Sequence, residues 1–383
     1  MMDKFLIYGQ PLIEEAEINE VVDSLRSGWL GTGPKTHKFE RMFSQFKGVD
    51  YAIALNSCTA ALHLSLLALG VGRGDEVIVP TMTFAATANA VIHAGAKPIF
   101  VDCDKKTMNI IPSEIEKNIT SRTKAIIPVH FAGRPCDMKS IMEISQVNGL
   151  KVIEDCAHAV ESEIGDSKLG TIGDIGCFSF YVTKNIVTGE GGMAITKNEE
   201  LADKIKTMAL HGLSKDAWSR FGDSGYSHYR VIELGYKYNM MDIQAAIGMH
   251  QLPRIQDYWE RRRAIWNEYN HAFQGLCART PIAAEKNTRH AYHLYTLMID
   301  PLETGIDRDE FIKRMTQERI GVGVHYIALH LHPYYQNEFG YKIGDYPNAE
   351  WISERTVSLP LSPRLSVSDV SRVIKAVSKI LVS

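Results

Sequence analysis

This sequence predicts an α/β protein built on a mostly parallel sheet, with a smaller α+β unit after it. Three observations carry that expectation. Seven short apolar runs fall in the first two thirds of the 383-residue chain. They are near-continuously apolar, as strands covered on both faces should be. Helical patterns separate most of them, which implies parallel βαβ units.

The runs lie at residues 52–55, 76–79, 98–101, 125–129, 152–154, 177–180 and 193–195. A long helical stretch is expected at about 241–275, in which Trp259-Glu260-Arg261-Arg262-Arg263 reads as a solvated face. A strand-like run at 293–299 then opens a different pattern, and helices at about 308–319 and 367–382 complete it. The chain is long enough for two domains, expected at 1–255 and 256–383.

Composition excludes several classes. A net charge of −3 offers no electrostatic case for nucleic acid or an anionic membrane. No apolar run approaches the roughly 18 residues of a membrane helix. The segment from Met1 to Tyr8 is too short and polar for a secretory core. Cysteines 58, 103, 136, 156, 177 and 277 form no CxxC pair, which points to a reducing cytoplasm.

The chemistry is expected where strands end, because open α/β sheets place ligands at their carboxyl edges. The third run ends in Asp102, the fifth in Asp155, and the sixth leads to Lys184 in Thr183-Lys184-Asn185-Ile186-Val187-Thr188-Gly189-Glu190-Gly191-Gly192. A lysine amine can form a Schiff base, and a carboxylate can keep a pyridine nitrogen protonated. Together they suit pyridoxal phosphate (PLP). Ser57, Cys58 and Thr59 open a helix after the first strand, a place where free amides and a hydroxyl receive phosphate. Phe84, after the second, suits stacking on a ring. His158 follows Asp155 by three residues. Ser179 and Tyr181 alternate onto one sheet face, and one of them is suited to the phosphate. Each of these residues alone has a plainer role: a helix cap, a core ring, a surface lysine. The pairing of Asp155 with Lys184 shifts the balance.

Two other patterns carry nothing. Gly70, Gly72 and Gly74 precede a strand, whereas a dinucleotide loop follows one. His325, His330 and His332 lack metal-ligand spacing with a third ligand, so no metal is expected.

Taken together, these segments resemble the DegT/DnrJ/StrS sugar aminotransferases, of the aspartate aminotransferase-like fold (fold type I PLP enzymes). The resemblance covers nearly the whole chain, including Arg26-Ser27-Gly28-Trp29-Leu30-Gly31-Thr32-Gly33-Pro34, Glu154-Asp155-Cys156-Ala157-His158-Ala159 and Tyr236-Lys237-Tyr238-Asn239. It implies a mixed, mainly parallel seven-stranded sheet. It implies that Lys184 is the Schiff-base lysine and proton shuttle, that Asp155 pairs with the pyridinium, and that Phe84 and His158 flank the ring. Ser57, Cys58, Thr59 and Ser179 would hold the phosphate, with Asn239 reaching it from the other subunit of a homodimer. Trp29, Leu30, Thr32, His325 and Tyr326 would lie near the substrate.

The similarity is strongest to members that aminate C4 of UDP-4-keto sugars, such as the UDP-4-amino-4-deoxy-L-arabinose aminotransferases. It implies L-glutamate as donor, 2-oxoglutarate as its product, pyridoxamine phosphate as the intermediate cofactor form, a nucleotide-sugar acceptor and a role in surface glycan synthesis. Three positions depart from the usual pattern: Glu161-Ser162 in place of Gly-Ala, Tyr181 in place of His, and Cys58 in place of Ala or Gly. They touch the pocket wall and so bear on which sugar is used. Two other readings are a sugar dehydratase, whose relatives carry His in place of the lysine, and a non-catalytic regulator on the same scaffold. Lys184 argues against the first; Lys184, Asp155 and Asn239, with no appended DNA-binding segment, argue against the second.

Overall fold

The computed structural model describes residues 4–214 and 228–382. The N-terminal reading begins at Met1, and residues 1–3 lie outside the described part. All seven apolar runs become strands of one sheet: β1 (Tyr51–Leu55), β2 (Glu76–Pro80), β3 (Lys97–Val101), β4 (Thr123–Ile126), β5 (Lys151–Asp155), β6 (Ile175–Ser179) and β7 (Gly192–Thr196). Their order is β1-β7-β6-β5-β4-β2-β3. Strands β2 to β6 pair in parallel, and β7 is antiparallel to both β1 and β6. The reversal has a local cause. Residues 180–191 join β6 to β7 without a crossover helix, so the chain returns antiparallel. This loop carries Lys184.

Alternate residues of the strands feed two cores. Leu55, Val77, Val79, Ile153, Ile175 and Cys177 pack beneath α3 (Cys58–Ala68), α4 (Ala85–His93) and α7 (Glu199–Ala209). Ala54, Ile78, Ile126, Val152, Phe178 and Met193 face α2 (Pro34–Lys47) and α6 (Met138–Asn148) on the other side. Burial on both faces is why the runs lack polar alternation. On the α2 side Phe43 meets Phe178 at 5.1 Å and Phe180 at 5.5 Å, edge to face. That contact anchors the exit of β6 just before the lysine loop.

The expected helix at 241–275 is two helices, α8 (Asp242–Gln251) and α9 (Ile255–Ala272), with a 3₁₀ turn at Leu252–Arg254 between them. Pro253 lacks the N–H a continuous helix needs. Asp242 is fully buried. Its carboxylate accepts from Gly33 N (2.8 Å), Thr36 N (2.9 Å) and Thr36 Oγ1 (2.6 Å), capping α2 from 206 residues away. The solvated-face reading of Trp259–Arg263 fails at Arg262, which is 1% exposed. A further core joins Trp266 and Tyr269 of α9, and Phe273 just past its end, to the antiparallel pair β8 (Tyr295–Met298) and β9 (Thr356–Leu359). The helices Arg308–Gln317 and Val367–Val382 pack on it.

Candidate active site

Eleven of the residues singled out from the sequence line one cleft of about 520 Å³ at the carboxyl ends of the parallel strands: Ser57, Cys58, Thr59, Phe84, Asp155, His158, Ser179, Tyr181, Lys184, His325 and Tyr326. Asp102 does not join them. Its carboxylate accepts from Cys103 N, Asn348 N and Ala349 N, so it caps the helix Pro347–Ser353 instead.

Local chemistry builds each wall. Ser57 is the N-cap of α3 and accepts from Ala60 N at 3.1 Å, worth about 1 kcal/mol for such a cap. The amides of Cys58 and Thr59 have no intrahelical acceptor and carry the positive end of the helix dipole. Gly192, at the start of β7, lets this terminus sit close, since a Cβ there would collide with the Ser57 carbonyl and the Cys58 nitrogen. Phe84 is the residue before α4 and is 62% exposed, its ring uncovered at the cleft.

Asp155 closes β5 and is buried, 4% exposed as a residue. Thr87 Oγ1 donates to it at 2.8 Å and Ala157 N at 3.1 Å. Burial raises its carboxyl above the ordinary range, partly offset by those two donors and by Lys184. Among the described residues it forms no ion pair. Lys184 sits in a tight turn, its N–H bonded to Tyr181 O at 2.8 Å. Buried Asn185, Ile186, Val187 and Thr188 then pull the loop inward. Burial pushes the ammonium down from an ordinary 10.5 to about 8, with Cys58 and Asp155 pulling the other way.

His158 accepts from Ala132 N at Nδ1 (3.2 Å), and burial holds it well below its usual range. The neutral ring therefore carries its proton on Nε2, which faces Tyr326 Oη at 3.1 Å. His325 bonds Ser358 Oγ at 2.8 Å and is pushed down by burial to about 3. The histidines beside Lys184 are thus neutral near pH 7. His330, by contrast, is a buried structural residue bonded to Thr81 and Glu350.

Trp29, Leu30, Thr32 and Asn239 are not brought to this cleft. They form a separate patch, in which Asn239 Nδ2 donates to Thr32 Oγ1 at 2.6 Å and Thr32 Oγ1 donates to Met240 O at 2.5 Å. Asn239 Oδ1 is buried without a partner among the described residues, and Trp29, Leu30 and Met241 are exposed alongside. A second polar cluster, His130, Glu154 and Cys156, has ligand atoms within 4.8 Å of one another. Glu154 is already satisfied by His130 and by the amides of Gly170, Ile172 and Gly173. The cluster is explained as a structural network.

Sequence reasoning missed Thr87 and His293. Thr87 was visible only as part of Thr83-Phe84-Ala85-Ala86-Thr87, one turn past Phe84. His293, whose ring lies 4.3 Å from that of His158, gave no local signal.

The DegT/DnrJ/EryC1/StrS aminotransferase family model matches residues 11–378. The chain belongs to this family. It is 52% identical over 379 residues to the uncharacterized protein MJ1066 of Methanocaldococcus jannaschii, covering 99% of this chain and 98% of that protein. It is 50% identical over 378 residues to the spore coat polysaccharide biosynthesis protein SpsC of Bacillus subtilis, covering 98% and 97%. Spr1654 of Streptococcus pneumoniae, provisionally assigned as a sugar aminotransferase and solved in PMP form, superposes with a TM-score of 0.92 at 34% identity, covering 98% of each chain. Its PLP form gives 0.91. The expected fold type I aminotransferase architecture holds.

The residues present fit PLP. Asp155 is a buried carboxylate with no ion pair among the described residues, suited to a protonated ring nitrogen. The α3 terminus offers amides to a phosphate, and Phe84 leaves a ring face open. Only a neutral amine adds to an aldehyde, so PLP capture by the cofactor-free protein is expected to speed up as pH rises through about 8 and then level off. Stopped-flow absorbance checks this; a midpoint near 10.5 contradicts it.

Proposed function

We propose that this protein transfers an amino group from L-glutamate to the C4 keto carbon of a nucleotide-linked sugar, with UDP as the nucleotide, for surface polysaccharide synthesis in the cytoplasm. The observation that carries the reading is the cleft itself, where an amine of lowered basicity shares one pocket with a buried, unpaired carboxylate. The named roles of its relatives in polysaccharide synthesis and sugar amination support the substrate class.

PLP, when bound, supplies an aldehyde and an electron-accepting ring through which the amino group is carried. Asp155 would hold the ring nitrogen, and Ser57, Cys58, Thr59 and Ser179 the phosphate. Phe84 would cover one ring face, with His158 alongside. Lys184 Nζ takes a proton from the donor's Cα and returns one at C4 of the sugar, a role helped by burial, which lowers the ammonium from 10.5 to about 8 and so eases loss of its proton. Tyr326, His325 and the exposed Tyr181 line the side of the cleft open to the sugar.

The working unit is a homodimer with shared sites. Asn239 reaches the phosphate in the partner's cleft, and Trp29, Leu30 and Thr32 reach the partner's sugar site. Supporting this are the orphaned Asn239 Oδ1 and the exposed apolar side chains beside it. The test is incubation with L-glutamate and a panel of UDP-, dTDP- and GDP-linked 4-keto sugars, read by mass spectrometry. Amination of a UDP sugar is expected. Formation of 2-oxoglutarate without any aminated sugar overturns the acceptor assignment.

A further inference from the structure

Behind Lys184 lies a buried polar chain that the proposed chemistry does not use. Arg262 pairs through Nη2 with Glu161 Oε1, both almost completely buried. Glu161 Oε2 accepts from Asn185 Nδ2 at 2.8 Å. The same Nδ2 donates to Ala291 O at 3.1 Å. Asn185 Oδ1 lies 2.9 Å from His293 Nδ1, and the His293 ring packs against His158. Ser162 closes the neighbouring side: its Oγ donates at 2.7 Å to Gly133 O, which also receives the Ala291 N–H at 3.0 Å.

The chain has a direction. Asn185 directly follows Lys184, and its amide nitrogen is committed to two acceptors. Its oxygen can only accept, so His293 Nδ1 must carry the proton. His158 is fixed in the opposite tautomer by Ala132 N. A buried ion pair adds little net stability, because desolvation offsets the attraction, so its contribution here is sought in geometry. Glu161-Ser162, a departure noted in the sequence, is thus turned inward against the segment that carries the lysine.

We propose that Glu161 and Arg262 are positioning residues, whose buried pair clamps the Asn185 amide, and that this clamp holds the Lys184 turn in place and His293 in its Nδ1–H tautomer beside His158. The inference rests on the transamination reading above and deepens it.

The test uses two double variants that remove both charges together. Glu161→Leu/Arg262→Met leaves Asn185 without its acceptor. Glu161→Gln/Arg262→Met restores a neutral acceptor oxygen. Nitrogen-15 NMR of histidine-labelled, cofactor-free protein reads the tautomers. The wild type is expected to show His293 as Nδ1–H alone, the Leu/Met variant a mixture, and the Gln/Met variant the wild-type pattern. In PLP-loaded protein the Leu/Met variant is expected to lose about 10- to 100-fold in kcat with the KM for the amino donor little changed, as misplacement of reacting groups by about 1 Å does. The Gln/Met variant is expected to recover most of that loss. A wild-type His293 protonated on Nε2 overturns the proposal, even if the Leu/Met variant does not fold. So does a Leu/Met variant with a single tautomer and wild-type kcat, or a Gln/Met variant no better than it. Should the wild type not transaminate at all, the functional reading fails, while the tautomer measurement still decides the clamp.

Discussion

Lys184→Ala is expected to lower transamination by at least about 10² to 10⁴-fold, the contribution of one positioned proton-transfer group, and to remove the visible absorbance that PLP acquires on joining the lysine. The loss should be in chemistry and not in folding. The side chain at 184 is half-buried and makes no ion pair among the described residues, whereas the loop around it is held by backbone bonds and by buried Ile186 and Val187. Its removal also takes away an amine whose charged form burial disfavours, so the melting temperature should not fall. Circular dichroism, a thermal melt and a steady-state assay on one preparation separate the outcomes. Turnover close to wild type contradicts the assignment of Lys184, whatever the spectrum shows.

The second large effect concerns the subunit boundary. Asn239→Ala is expected to weaken PLP binding by about 10- to 100-fold, since a hydrogen bond to a charged phosphate is worth about 1.5–3 kcal/mol. Mixing this variant with Lys184→Ala distinguishes sharing from its absence. If Asn239 serves the partner's cleft, each hybrid dimer has one cleft missing both residues and one intact cleft. Random exchange makes about half of the dimers hybrid, so at limiting PLP the mixture should recover about a quarter of wild-type activity. If Asn239 served its own cleft, hybrids would hold one damaged site of each kind, and the mixture would match the mean of its parents. Complementation assays at several PLP concentrations read the difference.

The strands were legible because their environment is simple. A strand such as β2 is buried throughout and carries Val77, Ile78 and Val79 in succession, so the run at 76–79 stands out. Lys184 and Asp155 were legible because each breaks an apolar pattern at a strand end. What could not be read was tertiary. Asp102 breaks a pattern in the same way, yet its carboxylate is used to cap a helix more than 240 residues later. Arg262 stands in a run of charge that suggests solvent, yet Glu161, 101 residues earlier, draws it into the interior. His293 meets His158 only because its N–H bonds to Ala132 O at 3.0 Å and seats the strand entrance against that wall. The break at Pro253 was readable in principle, since proline interrupts helices from local geometry alone.

The same contrast applies to the cleft. The positions proposed to carry chemistry sit on short motifs and line the cleft together. The residues that hold those positions still, Thr87 beneath Asp155 and Asn185 beside the lysine, are neutral side chains whose role depends on what the fold places opposite them.

Every step proposed above requires Lys184 Nζ to bond covalently to PLP. Loading the protein with PLP, reducing it with borohydride and mapping the peptides by mass spectrometry tests this most directly. A single phosphopyridoxyl mark on Lys184 is expected, lost when excess L-glutamate is added before reduction. A mark on another lysine, or none on this one, contradicts it.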